Sequence, residues 1–188
     1  MEEAERAREI VAGLEERFPM ELERRSRDPF SVLIATVLSQ NTNDRNSHRA
    51  FQRLREEFPI APEALAAVEP ERLKLAIEVA GLVNIRSRRI VEVSKAVLEQ
   101  FGGDLNATIS LPLEEARKRL MSIDGIGPKT ADVVLLFAGK REVMPVDTNI
   151  FRVVDRMGFA KGRNYERTRL TLERLIPLRS FLGRIYSS

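Results

Sequence analysis

Two side chains, Lys129 and Asp147, could take part in chemistry, and local sequence leaves each open to a plainer reading. Lys129 follows Gly125-Ile126-Gly127-Pro128 and falls in the first turn of an expected helix. An amine attacks only when neutral, and a free lysine has a pKa near ~10.4. Desolvation and the positive end of a helix both lower that value, so a lysine in a first turn can become a nucleophile. The same residue could instead touch a phosphate from the surface. Asp147 precedes Thr148-Asn149-Ile150-Phe151-Arg152. A carboxylate there could stabilise a developing cation or activate a nucleophile. It is also a good N-cap for the following helix, and the local pattern favours the cap. The two roles are compatible, because helix N–H groups hold a capping carboxylate in place.

The elements that must position these groups are helices. Residues 2–18 carry Ile10, Val11, Leu14 and Phe18 at helical spacing. Asp28-Pro29 reads as an N-cap followed by proline at the first helical position. The stretch it opens, 30–38, is apolar almost all round, the mark of a helix buried on every side. Residues 43–58 form a charged amphipathic helix with Phe51, Leu54 and Phe58 on one face. Pro59, Pro62 and Pro70 punctuate two short helices. A longer helix over 84–101 stops at Gly102-Gly103. Helices over 112–122, 128–138, 148–157 and 164–176 complete the set. No segment alternates with period two, so the expected class is all-α with short connections.

Composition narrows the chemistry. The chain has 188 residues and no cysteine, which excludes disulfides and thiolate-held zinc or iron–sulfur centres within it. His48 is the only histidine, so a multi-histidine metal site is excluded as well, and it reads as a helix-surface residue. No apolar run reaches the ~18–20 residues needed to span a bilayer. The N-terminus lacks the apolar core of a secretory signal. The expected location is therefore cytoplasmic, without a membrane partner. A net charge of +3 does not by itself announce a nucleic-acid binder. Two stretches are locally basic, however: 86–89 and 161–169.

The hairpin around Gly125-Ile126-Gly127 sits between two amphipathic helices. Its glycines permit positive φ and close backbone approach. Ile126 can turn inward and pin the turn to the core. Such a geometry aims the first-turn N–H groups of the next helix at solvent, where they can bind a phosphate oxygen. A bare Gly-x-Gly is an ordinary helical corner more often than a site; the longer string carries more.

Ile123-Asp-Gly-Ile-Gly-Pro-Lys-Thr-Ala131 resembles the helix-hairpin-helix motif of endonuclease III-like DNA glycosylases, the helix-hairpin-helix/Gly-Pro-Asp superfamily. Met144-Pro-Val-Asp-Thr-Asn-Ile-Phe-Arg-Val153 is similar to the family loop that ends in a catalytic aspartate, 18 residues beyond the lysine. Leu33-Ile-Ala-Thr-Val-Leu-Ser-Gln-Asn-Thr42 and Gly81-Leu-Val-Asn-Ile-Arg-Ser87 also look like family segments. The resemblance covers residues 28–162.

It implies two helical lobes, 28–138 with the hairpin and 1–27 joined to 139–188, and an active-site cleft between them. It implies that Lys129 attacks the sugar C1′ and that Asp147 stabilises the resulting cation. It implies a base-excision-repair glycosylase with AP lyase activity on oxidised pyrimidines such as thymine glycol. Mismatched thymine or uracil on the same fold, a non-catalytic DNA-gripping module, and a plain helical interaction protein are the alternatives. Base removal requires extrusion of the nucleotide. The family's wedge falls on Gln40, Asn41, Thr42 and Leu82, although Leu82 reads equally well as a core leucine. Asn41 stands where relatives commonly carry glutamine. Gly125, Gly127 and Thr130 fall among the DNA contacts. A monovalent cation would be held by the backbone carbonyls of Met121, Ile123 and Ile126. The partner would be double-stranded DNA with a damaged base or abasic site, bound by a monomer. The four cysteines that hold a [4Fe–4S] cluster in most relatives are missing, so no cofactor is expected.

Overall fold

The computed structural model describes residues 2–18 and 28–178. Among these there are eleven α-helices and one short 3-10 turn. The chain divides into two compact units: Ser26–Gly139, and Met1–Arg25 with Lys140–Ser188. The parts of the expected second lobe at 1, 19–27 and 179–188 lie outside the described residues. No helix among the described residues is long and apolar enough to cross a membrane.

The larger unit is built around α2 (Pro29–Ser39). The Asp28 side chain accepts the Ser31 N–H at 2.6 Å and so starts the helix. Because its residues are apolar on every face, α2 can be enclosed: Leu33, Ile34 and Leu38 are fully buried. It packs against α3 (Asp44–Glu57), α6 (Val83–Phe101) and α9 (Pro128–Phe137). Two short helices, α4 (Pro62–Ala66) and α5 (Pro70–Ala76), each open on a proline and lie against α6. A 3-10 turn, Glu78–Ala80, leads into α6. Gly102 at φ +62° ends α6, and its N–H returns to the Leu98 carbonyl. That 3-10 turn and α7 (Asn106–Ser110) are not expected from sequence. Both are too short to show a helical period.

α8 (Leu113–Met121) and α9 flank the hairpin. A buried ion pair braces them: Arg117 Nε donates to Asp132 Oδ1 at 2.7 Å, with Nη2 to Oδ2 at 3.4 Å. Arg117 Nη1 also reaches Glu114 Oε2 at 2.9 Å. Asp132 is wholly enclosed. Such a pair fixes geometry more than it adds stability, because desolvation offsets the Coulomb gain. Removing one partner would strand the other charge.

The smaller unit holds α1 (Glu2–Arg17), α10 (Thr148–Arg156) and α11 (Tyr165–Leu175). Its core gathers Val146, Val154, Ala160 and Leu172, with Met144, Ile150 and Phe151 packed against them. α1 rests on α11. The Arg6 guanidinium lies 5.1 Å from the Phe159 ring centroid and donates to the Met157 carbonyl.

Candidate active site

The hairpin turn is pinned from below and open above. Ile123 and Ile126 are both buried, and the Ile126 N–H closes on the Ile123 carbonyl at 3.0 Å. Gly125 sits at φ +79°, where a side chain would be strained. Arg89 of α6 crosses it and donates to the Asp124 carbonyl at 3.0 Å. A Cβ on Gly125 would lie 2.0 Å from the Arg89 guanidinium. Gly127 then N-caps α9 in extended backbone, with no side chain to bond the first turn, and Pro128 follows at the first helical position. Nothing lies within 4 Å of where a Gly127 Cβ would be. Lys129 occupies the second helical position and is half-buried.

Thr130 follows in the same first turn. Its side chain is 3% exposed, and its Oγ1 accepts from Gln40 Nε2 at 3.4 Å. That hydroxyl ties α9 to the end of α2 rather than facing solvent.

Asp147 is the N-cap of α10. Its Oδ1 accepts the N–H groups of Asn149 at 2.9 Å and Ile150 at 2.8 Å. Both bonds fall on one oxygen, which leaves Oδ2 clear of them. The capping role favoured on local sequence is therefore present, and it orients the carboxylate. The strand of chain before it is held from α11. The Met144 N–H donates to Glu173 Oε1 at 3.0 Å, and the Val146 N–H to the Tyr165 hydroxyl at 3.3 Å. Arg169, itself buried, grips Glu173 and Glu166 at 2.8–3.2 Å. These anchors were not singled out in the sequence. Their signal is faint, since Glu166, Arg169 and Glu173 look like ordinary i,i+3 and i,i+4 surface pairs.

The wedge candidates belong to two loops of the larger unit. Gln40 ends α2, and Asn41 and Thr42 follow it. Asn41 is exposed and adopts φ +53°. Leu82 precedes α6 at φ +50° and is 53% exposed. The structure thus separates the two readings of Leu82: it is an outward-facing residue, not a core one. Ile85, one turn on, is 58% exposed.

The basic stretch at 86–89 is mostly spent inside the fold. Arg86 is 4% exposed and donates to the backbone carbonyls of Ala80, Gly81 and Gln40. Burial without a carboxylate pushes its pKa below the ordinary guanidinium value. Arg89 is engaged with Asp124 and Glu92. Arg88 is the exposed arginine of the three. The second stretch keeps Lys161, Arg163 and Arg167 exposed but buries Arg169.

Asp132 could have been noticed from sequence. An acid within Thr130-Ala-Asp-Val-Val-Leu-Leu-Phe137 has no reason to be there unless it is paired.

The model of the family described as HhH-GPD superfamily base excision DNA repair protein matches residues 34–178. Endonuclease III of Thermotoga maritima is 37% identical over 173 residues, covering 92% of this chain and 74% of that protein. Among solved structures, a non-covalent endonuclease III–DNA complex superposes with a TM-score of 0.79 at 28% identity, covering 97% of this chain and 82% of the other. A trapped endonuclease III–DNA covalent intermediate superposes with a TM-score of 0.77 at 26% identity, covering 97% and 83%.

Proposed function

The chain belongs to the HhH-GPD superfamily of base excision DNA repair proteins, and on that premise we propose that it is a bifunctional DNA N-glycosylase and AP lyase acting on oxidised pyrimidines such as thymine glycol. The observation that carries the reading is Lys129 itself. It is a half-buried lysine in the first turn of a helix capped by glycine. A solved structure of like fold is a trapped endonuclease III–DNA covalent intermediate, which supports a nucleophile on the protein.

The reaction follows from the parts. The hairpin grips phosphate through backbone N–H groups, which sets register without reading sequence. Gln40, Asn41, Thr42 and Leu82 fill the gap left by the extruded nucleotide. The neutral Lys129 Nζ attacks C1′ as the C1′–N bond breaks, and the departing base takes the bonding pair and a proton. Asp147, fixed by two N–H bonds, stabilises the positive charge on the sugar. The C1′–O4′ bond then breaks, O4′ takes the pair and a proton from water, and the opened sugar is left as a protonated imine on Nζ. Loss of a C2′ proton then expels the 3′ phosphate and cuts the strand on that side. Water releases the lysine as a free amine.

Monovalent-cation binding would use the backbone carbonyls of Met121, Ile123 and Ile126. The Ile123 carbonyl fits, since the turn already orients it through the Ile126 N–H and one lone pair remains. A thiolate-held iron–sulfur cluster does not fit, because the chain has no cysteine, and no step runs through one.

Borohydride trapping on a duplex with one thymine glycol tests the proposal. A covalent product is expected. Trapping only on an abasic duplex would keep the lyase and overturn the choice of base. No product on either duplex would remove Lys129 as a nucleophile.

A further inference from the structure

The two loops assigned to the wedge lie far apart in sequence, yet one side chain holds both. Arg86 lies in the first turn of α6, the helix that Leu82 caps. Its Nη1 donates to the carbonyls of Ala80 and Gly81, and its Nη2 to the carbonyl of Gln40. A guanidinium is planar and rigid, so its two terminal nitrogens fix these carbonyls relative to one another. The tie extends further, because the Gln40 side chain reaches Thr130 in the hairpin helix.

This arrangement is not the one stability alone would select. Arg117 and Arg169, the other buried arginines among the described residues, each meet two carboxylates. Arg86 meets backbone oxygen instead. The buried side-chain polar atoms without a hydrogen-bond partner among the described residues are Arg86 Nε and its neighbour Ser87 Oγ. Directly above, Asn41 and Leu82 both adopt left-handed backbone, which non-glycine residues rarely do. A buried guanidinium held by carbonyls with its Nε left over, beside two left-handed loop residues, points to a role other than stability.

We propose that Arg86 is a positioning residue that locks the 40–42 loop and the Leu82 turn into one rigid wedge, so that both enter the duplex together when a base is extruded. The inference rests on the glycosylase reading above. Arg86 touches neither the sugar nor the base. It acts on the extrusion step, in which the paired base leaves the stack, and much less on lysine chemistry at a site that has no base to remove.

The test compares two single-turnover rates, excision from a fully paired thymine glycol duplex and strand cleavage of the same duplex with an abasic site. Arg86→Lys keeps the charge but cannot span three carbonyls with a rigid fork. Since a misplacement of about 1 Å can cost about a hundredfold, the paired-lesion rate is expected to fall at least about tenfold more than the abasic rate. A merely structural arginine would lower both by the same factor, and that result would overturn the proposal. Should Arg86→Lys fail to fold, Gly81→Ala serves instead. Gly81 sits at φ +69° and its carbonyl accepts from Arg86, so alanine there strains the turn that Arg86 holds, and the same split is expected. Equal losses in that variant would likewise sink the inference. If the wild-type protein acts on neither duplex, the glycosylase reading itself falls and takes this one with it.

Discussion

The helix that carries Lys129 starts from a glycine with no side chain to offer its first turn, whereas the helix behind Asp147 starts from a carboxylate that accepts two of its amides. Helix N-termini have the same electrostatic character wherever they occur. What differs is who answers it. At α10 the protein supplies its own anion, and the result is a carboxylate fixed in place. At α9 the glycine cap supplies no side chain, and on the proposed mechanism the positive end serves a phosphate and the Lys129 amine. One terminus stores a charge and the other requests one.

Three substitutions break or sharpen that contrast. The largest effect belongs to Lys129→Gln, which keeps the α9 start as it is and removes the amine. Covalent trapping is expected to fall at least about a thousandfold, while duplex binding changes little more than for any lost phosphate contact. Retained trapping would mean that another amine attacks.

Next is Asp147→Asn, which preserves an acceptor for the two amides but discards the charge. Base removal is expected to slow by about 10²–10³. Asparagine caps as well as aspartate, so the thermal midpoint should hold; a melted variant would assign Asp147 to structure alone. Third, Gly127→Asp gives α9 the kind of cap that α10 already has. The extended backbone and the open space there tolerate it. Stability should rise by a few tenths of a kcal/mol, about the known difference between these caps. Duplex affinity should drop, by roughly tenfold at low salt and less at high salt, because the new carboxylate meets the phosphate. Unchanged affinity in an equilibrium titration would show that the uncapped turn is not the phosphate grip.

Much of this was legible in the sequence, for physical reasons. Helix starts announced themselves through Asp28, Asn43, Asn164 and the prolines at 62, 70 and 128, all of which stand at helix entries. The enclosure of α2 followed from its lack of any polar face. The hairpin was legible because Gly125 needs positive φ and Ile126 between the glycines needs a core. Arg86 was not, since it sits in a basic run and local sequence cannot say that a guanidinium also reaches a carbonyl 46 residues away. Leu82 could not be decided either, because a leucine at a helix entry reads the same buried or exposed. The Tyr165 and Glu173 anchors of the Asp147 loop were hidden for the same reason: their partners are backbone amides, which every residue has.

The Arg117–Asp132 bridge has a consequence for the order in which the molecule assembles. Its partners are 15 residues apart, whereas the Arg86 link to Gln40 closes a span of 46. Chain entropy makes the longer closure more expensive by about 1 kcal/mol, before any strain at the loop tips is added. The hairpin is therefore expected to form early and open late, and the wedge to form late and open early. Native-state hydrogen exchange should find slower amides in α8 and α9 than in residues 39–42 and 80–83. On warming, such a protein would go on holding DNA after it had stopped prying it open.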